Sequence, residues 1–177
     1  MRPEAPARAG SSRPVRSSIT CAAVALSLIA GPAAADAVAS PRTDRVERAV
    51  VKRLNGIRAQ TGLAKLRLDR KLAKAADVHS TDMVRADFFA HESSDGTPFQ
   101  QRISHFVDRR ETGETLAYIS AGERRKAARV VELWMASPGH RAALLTPEFR
   151  RIGVAKRKGQ VLGQRSADFT ADLATRR

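Results

Sequence analysis

The sequence predicts an α+β domain in which helices come first and strands gather toward the end. Helical spacing of apolar residues runs from Val46 to Ile57 and again from Leu72 to Met83, each run closed by residues that stop helices. The extended stretches Arg151 to Lys156 and Gln160 to Asp172 come after the last helical segment, an order that is segregated rather than alternating. The single cysteine, Cys21, lies in an N-terminal leader, so the domain must be held by its apolar core without disulfides.

The leader has its own logic. Arg2, Arg8, Arg13 and Arg16 form a basic region, Ile19 to Ala30 is apolar, and small residues follow at Ala33 to Ala35 and Ala37-Val38-Ala39. That order describes a secretory signal peptide cleaved after Ala35 or Ala39. The apolar run falls short of the roughly 20 residues a membrane-spanning helix needs. Cys21 precedes most of that run, the wrong side for a lipoprotein cleavage site. The expected organisation is therefore signal peptide and short linker over 1–39 and one domain over 40–177. The mature chain is expected to be secreted or periplasmic, monomeric and without a transmembrane helix.

Within the domain, Val46, Ala49, Val50, Leu54 and Ile57 share a helical face, and Thr61-Gly62 ends the run. Leu66-Arg67-Leu68 is a brief extended link into Asp69, a good N-cap. Leu72, Ala75, Ala76, His79 and Met83 line the next helix, which ends near a buried Phe88-Phe89 pair. Ser93-Ser94-Asp95-Gly96 is turn chemistry. Thr97 as cap and Pro98 as first helical residue start a helix through Ile103. Gly113 to Ser120 reads as a buried strand or an irregular loop, and Gly122 to Met135 as an amphipathic helix with Trp134 inward. Ser137-Pro138 repeats the cap-and-proline signal for a helix through Leu145. The two final strands should meet at a turn at Lys158-Gly159.

The net charge is +14, of which the leader's four arginines and one glutamate account for three, leaving +11 for residues 36–177. The basic residues are spread over many places, aromatics make up 5% of the chain, and no stacking platform is visible. That argues against nucleic acid in an exported protein. Anionic envelope polymers or lipid head groups suit the compartment better, beside the plain alternative of a solvated basic surface.

Two imidazoles and a carboxylate stand out as a candidate site: His91, Glu114 and His140. His91 emerges just past a helix. His140 sits in the first turn of a short helix, where the positive end of the helix dipole favours the neutral ring. Neutral imidazoles can ligate a metal, with Glu114 as a ligand or orienting one ring. His79, between Ala76 and Met83, reads as a buried core histidine, and His105 as a surface one. Ser137, expected to commit its oxygen to backbone amides as a cap, makes no nucleophile pair with His140. His91-Glu92 lacks the second histidine of a zinc-protease helix. No residue is assigned a catalytic role.

The runs His79-Ser80-Thr81-Asp82-Met83, Phe88-Phe89-Ala90-His91, Gly96 with Arg102-Ile103, Gly113-Glu114, Trp134 to Arg141 and Arg151-Ile152-Gly153-Val154 resemble, in order, a bacterial domain of the CAP superfamily. That group holds cysteine-rich secretory, antigen 5 and pathogenesis-related proteins. The resemblance covers roughly residues 44–172. It implies a three-layer α-β-α sandwich with an open cleft lined by two histidines and acids, which in several members binds a divalent cation. Carried over by motif, the cleft residues are His91, Glu114 and His140, with His91 and His140 as metal ligands. The family's Gly-Glu-Asn is Gly113-Glu114-Thr115 here, and the second acid of the eukaryotic pattern is replaced by Ser137. One carboxylate instead of two points to weak, transient zinc.

The leading expectation is a secreted, non-enzymatic binding module, its ligand a lipid, an envelope component or a divalent cation. A zinc-assisted hydrolase or peptidase using the same cleft is the alternative, and it needs Glu114 as general base. If Glu114 ligates the metal, no base remains. A basic binder of envelope polymer or nucleic acid, resting on charge alone, is the third reading.

Overall fold

The computed structural model describes residues 43–176. The leader, its cleavage sites and Cys21 lie outside the described residues. Five helices and four strands follow in the order α1 (Arg45–Gln60), β1 (Arg67–Leu68), α2 (Arg70–Ala86), α3 (Phe99–Ser104), β2 (Thr112–Ser120), α4 (Lys126–Ala136), α5 (Pro138–Leu145), β3 (Phe149–Val161) and β4 (Gln164–Thr175). The strands form one sheet in the order β1-β3-β4-β2, with β1 parallel to β3 and the other pairs antiparallel. No helix among the described residues is long and apolar enough to cross a membrane.

Local chemistry sets the helix starts. Asp44 and Glu47 form a capping box at α1, and Glu47 also accepts from Lys156 N at 3.0 Å, tying the helix to β3. Asp69 caps α2 by accepting from Lys71 N and Leu72 N. The α2 C-cap is Asp87 in the left-handed region (φ 52°), and its carboxylate accepts from Gly163 N in the β3–β4 turn.

Alternation along β4 divides the core into two layers. Ala167, Phe169, Ala171 and Leu173 point to one side, where they meet Val50 and Leu54 of α1 and Val130 and Trp134 of α4. Trp134 is fully buried and donates its indole N–H to Leu116 O at 2.9 Å. Ser166, Asp168, Thr170, Asp172 and Ala174 point to the other side, toward α2. That face is buried as well. α2 lies against it at backbone distance because Gly153 leaves room: a Cβ there would overlap the backbone of Leu72 and Ala73. The result is the α-β-α sandwich expected from the resemblance.

Several local expectations are corrected. β3 does not turn at Lys158-Gly159 but runs on to Val161, and the turn is Leu162-Gly163, both at positive φ, the form that suits a two-residue hairpin. Gly159 is needed for packing, since a Cβ there would strike the Val84 side chain. Of the two readings for residues 113–120, the buried strand holds. Helix α3 begins after Pro98, one residue later than its cap signal implied, with no side-chain cap. Ser137 occupies the N-cap of α5 yet makes no capping hydrogen bond. Phe88 and Phe89 are half-buried rather than buried.

Candidate functional site

Glu114 sits near the start of β2, and its strand position faces the side chain toward α2, where it is fully buried. Two groups converge on it. His91, from the loop after α2, brings Nδ1 to Glu114 Oε1 at 2.8 Å. Arg102, from α3, bonds Glu114 Oε2 through Nη2. The same guanidinium donates through Nη1 to His91 O at 3.1 Å and Ser93 Oγ at 3.0 Å. Arg102 thus clamps both the carboxylate and the loop that carries the histidine. A buried carboxylate needs such compensation, because desolvating an ion costs several kcal/mol.

The His91 side chain is 44% exposed, and Phe99 lies against its ring at 5.8 Å between centroids. With Nδ1 committed to Glu114, Nε2 is the nitrogen that faces outward. The hydrogen bond to Glu114 raises the His91 pKa above its ordinary value, against the opposing effect of partial burial. His140, in the first turn of α5, is held lower by burial and then by the charge on His91. The direction agrees with the neutral ring expected from sequence. Burial is the main cause, followed by the charge on His91. α5 packs against both α4 and β2, which carries His140 toward the strand of Glu114. No hydrogen bond joins His140 to His91 or Glu114, and no group of three or more His, Cys, Asp or Glu side chains among the described residues has the spacing of a metal site. A cavity of about 530 Å³ beside α2 includes Ser93 and Arg102 in its wall, but neither histidine nor Glu114.

The other histidines fall where the sequence suggested. His79 is fully buried, its Nε2 paired with Ala90 O at 2.9 Å and its pKa lowered chiefly by burial. His105 is exposed. Thr115, which stands where an amide was expected, is buried with its hydroxyl unpartnered.

Sequence reasoning missed the groups behind Glu114. Asp172 lies directly opposite it across β2 and β4 and is fully buried. Burial and the neighbouring Glu114 push its carboxyl well above the usual range. As an ion, neither of its oxygens has a partner. A proton resolves this by giving Asp172 a hydrogen to donate to Glu114. Asp168, four residues earlier on the same face, is pushed up to about 7, first by burial. Ser80 Oγ and Thr170 Oγ1, 2.8 Å apart, complete a buried polar seam between α2 and the sheet. The available signal was the strict polar-apolar alternation from Ser166 to Leu173.

Comparison with known proteins places the fold. The model of the cysteine-rich secretory protein family (CAP) matches residues 51–164. YkwD of Bacillus subtilis (strain 168) is 37% identical over 109 residues, covering 61% of this chain and 41% of YkwD. The membrane protein YlbC of the same organism is 35% identical over 109 residues, covering 61% of this chain and 30% of YlbC. The chain thus spans less than half the length of these relatives. Among solved structures, an outer surface protein from Borrelia burgdorferi superposes with a TM-score of 0.66 at 24% identity, covering 77% of this chain and 97% of that one. An extracellular protein containing an SCP domain from Bacillus anthracis str. Ames gives 0.61 at 25% identity, covering 73% and 40%.

Proposed function

The chain belongs to the cysteine-rich secretory protein (CAP) family, and from that premise we propose a secreted, non-enzymatic binding module whose ligand site is formed by His91, Glu114 and His140. The observation that carries this is the double commitment of Glu114. One oxygen is bonded to His91 and the other to Arg102. A metal-assisted hydrolase needs a carboxylate free to take a proton from bound water. Here both oxygens are already engaged by His91 and Arg102 and the side chain is buried away from solvent, so Glu114 acts as an orienting group that holds His91 with Nε2 outward. The outer-surface and extracellular neighbours support secretion.

Such a site suits a weakly held divalent cation such as zinc. His91 Nε2 and His140 supply two imidazole donors, and water completes the coordination. Two neutral donors without a free carboxylate make the binding transient. Because His91 is more basic than a free imidazole, the cation must displace its proton, and affinity rises with pH through the His91 titration. A lipid or envelope component would occupy the same surface without the metal.

Calorimetric zinc titration of the purified protein, beside His91→Ala and His140→Ala, tests the reading. The expected result is one weak site lost in both variants. Binding that survives both substitutions, or zinc-dependent peptide hydrolysis abolished by Glu114→Gln, would overturn it.

A further inference from the structure

We propose a second binding site, separate from the histidines, that takes a polyanion carrying several phosphoryl groups on the basic groove at the β1 edge of the sheet. The groove has a volume of about 540 Å³ and is lined by Lys65, Arg67, Arg150, Arg151 and Arg176 with no acidic residue. None of these five joins the ion pairs formed among the described residues. It lies across the sheet from β2, which carries Glu114.

Two further observations show that like charges are held together here. Arg67 and Arg151 are direct partners across the parallel pair β1 and β3. Like charges facing each other on adjacent strands are destabilising, so folding alone does not favour the pairing. Behind the groove, Arg58 is fully buried, and its guanidinium is held only by carbonyls: Ala64 O at 2.9 Å, Leu144 O at 2.7 Å, and Thr146 O and Phe149 O at 3.1 Å. Arg150 donates to that same Phe149 carbonyl at 3.2 Å. The charge of Arg58 therefore adds to that of the groove without a carboxylate to offset it.

The ligand class follows from the side chains. Four of the five lining cations are arginine. Its planar fork gives two parallel charge-assisted hydrogen bonds to one oxyanion. A phosphoryl group presents its oxygens tetrahedrally and accepts forks from more than one side. One phosphodiester carries a single charge, too little to offset this set, so a chain of linked phosphates is the better match. The site does not depend on the proposed role of the histidines.

The test uses inorganic tripolyphosphate as probe, by calorimetry at physiological ionic strength. Arg67→Gln/Arg151→Gln is compared with Arg110→Gln/Arg124→Gln, which removes the same charge from exposed positions elsewhere. The expected result is one site per chain, weakened about tenfold or more in the groove variant and within about twofold in the control. Thermal melting of the groove variant should be unchanged or raised, since a like-charge contact is relieved. Equal weakening in both variants would reduce the effect to net charge and overturn the site. So would absence of binding, or orthophosphate binding as tightly as tripolyphosphate. Binding to phosphatidylglycerol-containing vesicles without binding to tripolyphosphate would overturn the polyphosphate class in favour of a membrane surface.

Discussion

Replacing Asp168 with asparagine should flatten the dependence of stability on pH. The Asp168 carboxyl is fully buried on the α2 face of β4, and its pKa is pushed from 3.8 to about 7. Burial is the main cause. The Ser80 hydroxyl and the Phe169 amide oppose it, and the charge on Glu114 adds to it. In the folded state Asp168 keeps a proton that the unfolded chain releases above about pH 4. Its contribution is therefore fully present below the unfolded pKa and lost as pH rises to about 7. A shift of about three units corresponds to about 4 kcal/mol, spread at about 1.4 kcal/mol per pH unit. The asparagine in the Asp168→Asn variant stays neutral throughout. The variant should match the parent near pH 4 and exceed it by about 4 kcal/mol at pH 8. Asp172 and His91, also shifted upward, leave a residual slope of the same sign in both proteins. Urea denaturation at a series of pH values reads this directly. Parallel stability curves for parent and variant would refute the reasoning, because they would mean Asp168 is ionised in the folded protein.

Other substitutions probe the same framework. Thr115→Val removes a buried, unpartnered hydroxyl with little change of shape, and should raise stability by about 1 kcal/mol in urea denaturation. Gly153→Ala drives a methyl into the α2 backbone and should cost about 3 kcal/mol or prevent folding, seen as a lowered melting temperature or loss of soluble protein. Arg102→Met leaves Glu114 buried without its guanidinium and frees the His91 loop. It should cost about 3–5 kcal/mol, read by denaturation at neutral pH.

Much of the fold was legible because local signals and burial agree along α1 and α2. Asp69 at α2 and the apolar stripes of both helices place them with little help from the rest of the chain, while the Asp44 capping box that opens α1 was not singled out. β4 was legible as a strand, but not as a strand buried on both faces. Polar-apolar alternation ordinarily marks one wet face, whereas here α2 covers the polar side because Gly153 and Gly159 let it approach. The β3–β4 turn was misplaced for a related reason. Lys158-Gly159 has turn chemistry, yet its glycine serves α2 packing, and the true turn opens with Leu162, a residue that seldom takes positive φ. His91, Glu114 and His140 were found by motif; Arg102 stood in a motif run without a role in the site, and Arg58 was not singled out. Each becomes a buried cation only through contacts far along the chain, from Arg58 to Phe149 and from Arg102 to Glu114.

The central claim is that His91 and His140 form one electrostatically linked site oriented by Glu114. Histidine ring NMR of the protein as a function of pH, with and without zinc, tests it most directly. His91 should titrate above 6.5 and His140 below it. Glu114→Gln should bring His91 down, and zinc should perturb both rings while leaving the exposed His105 unmoved. Two rings that titrate independently of each other and of Glu114, with zinc perturbing His105 as strongly as either, would contradict the account.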